Sequence, residues 1–142
     1  MNNKIYRRER RFLQISILLA ASVPVIAGGA GMIFGTAMLS RIANISLDSH
    51  LRYLSGLLFA IGISFWTIVP SIETKTSLTQ LLTFIVVMGG FARLAGAIFM
   101  GPPSKTMLYA ISMELIITPL FCWWQSRIAR LHFAGRNDAG IG

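Results

Sequence analysis

Two ionisable residues stand alone in long apolar stretches: Arg93, in the run Gly89-Gly90-Phe91-Ala92-Arg93, and Glu114, in Met113-Glu114. A charged side chain inside a membrane span is costly, so it faces the interior of a helix bundle and finds a partner there, with function as the default reading. The Gly101-Pro102-Pro103-Ser104 turn lies between them. If one helix ends near Met100 and the next starts after Ser104, a favourable N-cap type, Arg93 lies about 10 Å and Glu114 about 15 Å below the turn, at about 1.5 Å of rise per residue. A short turn makes the two helices antiparallel neighbours. A charge-assisted contact between guanidinium and carboxylate is therefore expected. Gly89, Gly90 and Ala97 share the face of Arg93, and small residues let helices approach closely in lipid.

A second pair precedes it. Asp48 and Arg52 are four residues apart at the head of another apolar stretch, so they meet on one face if the helix starts slightly early. Ser55 and Gly56 continue that face inward. Two readings stand: a polar mouth to a cavity, or an interfacial arginine with a local salt bridge, its stem lying along apolar surface. Counted against Glu114 as the one carboxylate within the spans, Arg52 and Arg93 leave a spare positive charge, which would favour an anionic group.

The elements that must position these residues follow from composition. Of 142 residues 54% are hydrophobic and 13% charged, against about a quarter charged in a soluble domain. The reading is an all-α polytopic membrane protein: a four-helix antiparallel transmembrane bundle over about 12–35, 51–69, 78–100 and 106–124. It is taken as one integral-membrane domain, with basic tails at 1–11 and 125–142 and a short amphipathic segment between helices 1 and 2. The basic flank and apolar core of the first span also fit a cleaved signal peptide, but the run is longer than the roughly 7–15 residues of a signal core, so a retained anchor is expected. In that span Ala27, Gly31 and Gly35 recur every four residues and should seat another helix. Gly31, Gly35, Gly56, Gly89 and Gly90 are thus the candidate packing glycines. Pro24 and Pro119 should bend their helices, and the C-terminal run should be mobile. Trp66, Trp123 and Trp124 fit an interfacial aromatic belt.

The net charge of +8 comes from basic residues at segment ends, without the aromatic interleaving of a nucleic-acid face, so nucleic acid is not an expected partner. Lys4, Arg7, Arg8, Arg10, Arg11, Lys75 and the tail arginines Arg127, Arg130 and Arg136 fall on one side; Arg41, Arg52 and Lys105 fall on the other. By the positive-inside rule both termini are cytoplasmic in a bacterial inner membrane, and the amphipathic segment, Asp48, Arg52 and the proline turn face the periplasm.

An enzyme needs a nucleophile with its base, a metal cluster or paired cysteines. Cys122 is the sole cysteine, and His50 and His132 fall outside the expected spans. No catalytic residue, metal site or cofactor is assigned; the histidine positions argue against haem held by two histidines in the core, and they do not exclude a quinone or lipid ligand.

From about Phe12 to Arg127 the chain resembles an uncharacterised bacterial family of small four-helix inner-membrane proteins, the domain of unknown function 4345. The resemblance rests on Leu51-Arg52-Tyr53-Leu54-Ser55-Gly56-Leu57, Gly89-Gly90-Phe91-Ala92-Arg93-Leu94, Gly101-Pro102-Pro103, and Glu114-Leu115 with Pro119. It implies a fold and a polar constellation but no activity. The chain is also distantly similar, in architecture, to DoxX-type proteins, some of which are associated with quinone-linked redox complexes; fold alone does not carry function. Two functions are expected from different classes. One is a non-catalytic membrane protein whose Asp48, Arg52, Arg93 and Glu114 line a periplasm-facing pocket for an anionic lipid or small acidic ligand. The other is an accessory or assembly subunit of a larger membrane complex, with Arg93 and Glu114 as a helix lock.

Overall fold

A computed structural model describes residues 3–38, 44–101 and 103–139. The chain is all-α: α1 (Asn3–Phe34), a 3-10 turn (Gly35–Met38), α2 (Ile45–Ile68), a 3-10 turn (Val69–Ser71), α3 (Thr76–Met100), α4 (Lys105–Ser112), a π turn (Met113–Ile117) and α5 (Thr118–Ala139). Four stretches are long and apolar enough to cross a membrane: Ile5–Ala37, Ile45–Ser71, Thr76–Met100 and Lys105–Ala134. At about 1.5 Å per residue the shortest exceeds the roughly 30 Å of a bilayer core. No more than 22% of the most apolar window of any span is buried against protein, and Leu19, Ile26, Phe84, Ile98 and Ile116 stand exposed. Apolar surface on that scale belongs in lipid. The chain is a multi-pass membrane protein.

The helices overrun the apolar runs from which they were expected. The basic segment before Phe12 is the opening of α1, and the C-terminal run is helical to Ala139; apolar length marks the membrane crossing and not the helix end. Between helices 1 and 2, residues 36–38 complete a 3-10 turn and α2 already begins at Ile45. Arg41, with the rest of 39–43, Pro102 and residues 140–142 lie outside the described residues. Asn44 caps α2 by accepting from the Leu47 N–H at 3.1 Å; Ser104 caps α4 by accepting from Met107 N–H at 3.3 Å. Each satisfies a donor that a helix start leaves unpaired.

The chain divides into two units, 14–70 and 1–13 with 71–142. In the first, α1 and α2 pack antiparallel. Partners on α2 climb as those on α1 descend: Gly35 meets Asp48 and Arg52, Gly31 meets Ser55, Gly28 meets Ser55 and Phe59, and Val25 with Ala21 meets Gly62. Farther along, the Trp66 indole N–H donates to Leu18 O at 3.3 Å and Gln14 Nε2 to Val69 O at 2.7 Å. Of the stripe expected in span one, Gly31 and Gly35 are filled by α2, while Ala27 is exposed and its neighbour Gly28 takes its place. Trp66 is tied to α1 through its indole, where an interfacial anchor alone was expected.

In the second unit α3 packs antiparallel to the helix formed by α4, the π turn and α5, with the first turns of α1 against α5. Its best-buried cluster is Leu13, Ile72, Thr79, Gln125, Ile128 and Ala129. Gln125 Nε2 donates to Ile72 O at 2.6 Å and to Thr76 Oγ1 at 3.0 Å, stitching the α2–α3 connection to α5.

A Cβ at Gly28 would lie 2.6 Å from Phe59 N and 2.7 Å from Ser55 O, whereas one at Gly29 would sit an ordinary 3.7 Å from the Phe59 ring. Gly28→Ala should therefore push two backbones apart and cost roughly 1–3 kcal/mol, and Gly29→Ala should be neutral or slightly stabilising through helix propensity. Reversible unfolding in mixed micelles measures both; equal effects would show that the close approach at Gly28 is not a constraint.

Candidate functional site

Asp48 and Arg52 lie on the first turns of α2, where the 3-10 turn brings the end of α1 against them. Gly35 adopts φ +55, a left-handed conformation that glycine takes without strain. The reversal aims the last carbonyls of α1 at Arg52. Its Nη1 donates to Met32 O at 2.6 Å and to Ile33 O at 3.0 Å, and its Nε to Asp48 Oδ2 at 2.6 Å. Asp48 Oδ1 in turn accepts from the Thr36 N–H at 2.8 Å and Thr36 Oγ1 at 3.0 Å. A cation on the carbonyl end and a carboxylate on the next free N–H are what an unpaired helix C-terminus needs. The pair is a closed clamp that ends α1.

This revises the charge count. Arg52 is matched by Asp48 and two carbonyls within its own unit, so it is not a spare positive charge.

Arg93 and Glu114 meet in the other unit. Arg93 Nε donates to Glu114 Oε1 at 3.0 Å. Glu114 lies in the π turn, and Pro119 explains why that turn is there. Proline has no N–H for the carbonyl of residue 115, and its ring crowds that carbonyl. Widening the preceding turn relieves the crowding: Thr118 N–H reaches Met113 O, five residues back, and Thr118 Oγ1 donates to the same oxygen at 2.9 Å. Such π turns recur at functional sites. Gly90 lets α3 reach it: a Cβ there would lie 2.7 Å from Leu115 Cδ2 and 2.9 Å from Glu114 Cβ.

The contact is only half made. Glu114 Oε2 is buried without a hydrogen-bond partner among the described residues, while the terminal amino groups of Arg93 likewise have none, its side chain 43% exposed against 17% for Glu114. Arg10 and Glu73 form the contrasting case, a two-bond fork with Nε to Oε2 at 2.9 Å and Nη2 to Oε1 at 3.0 Å. That fork was not foreseen, because both residues sit in polar flanks read as tail and loop.

Of the five candidate packing glycines, Gly31, Gly35 and Gly90 are tightly covered, and Gly56 makes only ordinary contact with Met32 at 3.8 Å. Gly89 has no atom within 4 Å of a built Cβ: it sits one residue, about 100°, from Gly90 on the helix. Gly28 and Gly62, missed from the four-residue stripe, make the closest approaches with Gly31 and Gly35 in the first unit. Among the described residues no three His, Cys, Asp or Glu side chains are placed to hold a metal ion.

A family profile, Domain of unknown function (DUF4345), matches residues 12–125. The chain belongs to this family. Neither a search of curated proteins nor one of solved structures finds a match. Membership in DUF4345 carries no link to the DoxX-type proteins, and it assigns no activity to the DUF4345 residues just described.

Asp48→Ala should leave the Thr36 amide without its acceptor and loosen the end of α1. Hydrogen exchange there should quicken roughly tenfold, the scale of one charge-assisted hydrogen bond, with no change at Gly90 or Glu114. Unaltered exchange at Thr36 would show that the clamp does not hold this end.

Proposed function

We propose that the protein is a non-catalytic bacterial inner-membrane protein, both termini cytoplasmic, in which Arg93 and Glu114 bind a small acidic or anionic lipid-like ligand. The observation that carries this reading is the half-made ion pair. A fully formed lock would resemble Arg10 with Glu73, using both carboxylate oxygens. Here a buried acceptor lacks a donor and a guanidinium retains unused donors, so the complementary ligand both accepts and donates. A carboxylic acid or a phosphate monoester has that character: its oxygens take the N–H groups of Arg93 and its hydroxyl serves Glu114 Oε2. Asp48 and Arg52 are left out of the ligand set because both Asp48 oxygens and the Nε and Nη1 of Arg52 are engaged at the end of α1.

The second reading is an accessory subunit of a larger membrane complex, the pair acting as a register lock between α3 and the π turn. The open face of α3 favours it, since among the described residues no atom lies within 4 Å of where a Cβ at Gly89 or Gly96 would stand and small residues commonly admit a neighbouring helix. A quinone-linked or other electron-transfer complex is one assembly of this kind.

Native mass spectrometry of protein gently extracted from its own membrane separates the two. The expected result is an acidic adduct on the wild type that is lost from both Arg93→Gln and the double variant Arg93→Gln, Glu114→Gln while both remain folded. The ligand reading fails if no adduct appears and the single change unfolds a protein that the double change restores. That pattern belongs to a buried pair whose broken half is worse than its absence.

A further inference from the structure

A separate site lies at the opposite end of the α4–α5 helix from the proline turn. Glu9, Leu120, Trp123, Trp124 and Arg127 line an open surface cavity of about 290 Å³ within the second unit, close in volume to the smallest small-molecule sites, about 300 Å³, but shallower, with Leu120 and Trp123 half exposed or more. Its polar members are poorly matched to one another. Arg127 Nη2 stands 3.9 Å from Glu9 Oε1, beyond hydrogen-bond distance. The Glu9 carboxylate accepts no hydrogen bond among the described residues, and its Oε2 is buried. Nor do the indole N–H groups of Trp123 and Trp124 have partners among those residues. Nearby, Gln125 Nε2 is bound to Ile72 and Thr76, its Oε1 having no partner among the described residues, and Arg10 is forked on Glu73.

Depth narrows the occupant. Glu9 lies just before the apolar run that begins at Phe12, and Arg127 just after Trp123 and Trp124, where the last apolar stretch ends. Paired tryptophans at such a boundary mark the headgroup layer of a bilayer. A ligand there must meet one exposed cation, one carboxylate needing a donor, two indole N–H groups and an apolar wall at Leu120. An anionic headgroup without an ammonium would satisfy Arg127 but face Glu9 with like charge. A headgroup with phosphate and primary ammonium satisfies both.

We infer that this cavity is a binding site for a phosphoethanolamine-headed bilayer lipid, with its ammonium on Glu9, its phosphate on Arg127 and the indole N–H groups, and its acyl chain along Leu120. The site is independent of Arg93 and Glu114.

The test uses the full chain with Trp66→Phe, so that of the three tryptophans only Trp123 and Trp124 report. The protein is placed in nanodiscs of equimolar phosphatidylethanolamine and phosphatidylglycerol, with one or the other lipid brominated near the top of its acyl chains. Brominated phosphatidylethanolamine should quench more strongly, corresponding to a preference of roughly tenfold or more for the site over phosphatidylglycerol, the scale of one charge-assisted hydrogen bond. Glu9→Gln should abolish that preference, and Arg127→Gln should lower occupancy by both lipids, with helix content checked by circular dichroism. Equal quenching by the two lipids in the parent protein, or stronger quenching by phosphatidylglycerol, overturns the inference without reference to any variant. So does a preference that persists in folded Glu9→Gln.

Discussion

A guanidinium close to an apolar span must be met by the protein, because the hydrocarbon offers neither water nor counter-ion. The chain answers this constraint in three ways. Arg10 is held in a two-bond fork by Glu73, fastening the start of α1 to the loop before α3. Arg52 is shared between Asp48 and the final carbonyls of α1, so one cation serves both as a salt-bridge partner and as a helix cap. Arg93 has a single bond to Glu114. The first two arrangements are structural because their geometry uses the groups that face one another. The third leaves a buried oxygen and several donors unmatched, which is why function is sought there.

Backbone requirements shape the same places. The end of α1 is a set of carbonyls without helical donors; Gly35, by turning left-handed, presents them to Arg52. The end of α3 likewise passes through a glycine at positive φ, Gly101, before Ser104 caps α4. In the α4–α5 helix, Pro119 removes a donor and the chain responds with a π turn, which sets Glu114 on a widened stretch of backbone opposite Gly90. A residue chosen for its missing N–H thus positions a carboxylate five residues earlier.

Glycine placement separates packing from lipid contact. Along α1 the close approaches fall at Gly28, Gly31 and Gly35, where α2 comes near enough to exclude even a methyl group. Along α3 the close approach is at Gly90, while Gly89 and Gly96 have no near neighbour among the described residues. Within a bilayer there is little hydrophobic drive for helices to associate, so closeness of this kind, and the dispersion it permits, carries much of the attraction between them.

Membrane class, the four spans and the meeting of Arg93 with Glu114 were legible from the sequence. Apolar length and the rise per residue of a helix are one-dimensional quantities, and a short turn leaves the two residues at nearly the same depth. The pairing of Asp48 with Arg52 was legible for the same reason, through their four-residue spacing. What Arg52 does with its remaining donors was not, because that depends on where α1 stops and how Gly35 turns. Nor could spacing select Gly28 over Gly56, or Gly90 over Gly89, since the rotation of a helix about its axis is decided by the neighbour it packs against. Glu9, Arg10 and Glu73 sit in polar flanks whose composition looks like solvated tail and loop. Only the continuation of α1 and α5 beyond the apolar runs, and the packing of their ends, puts partners beside them.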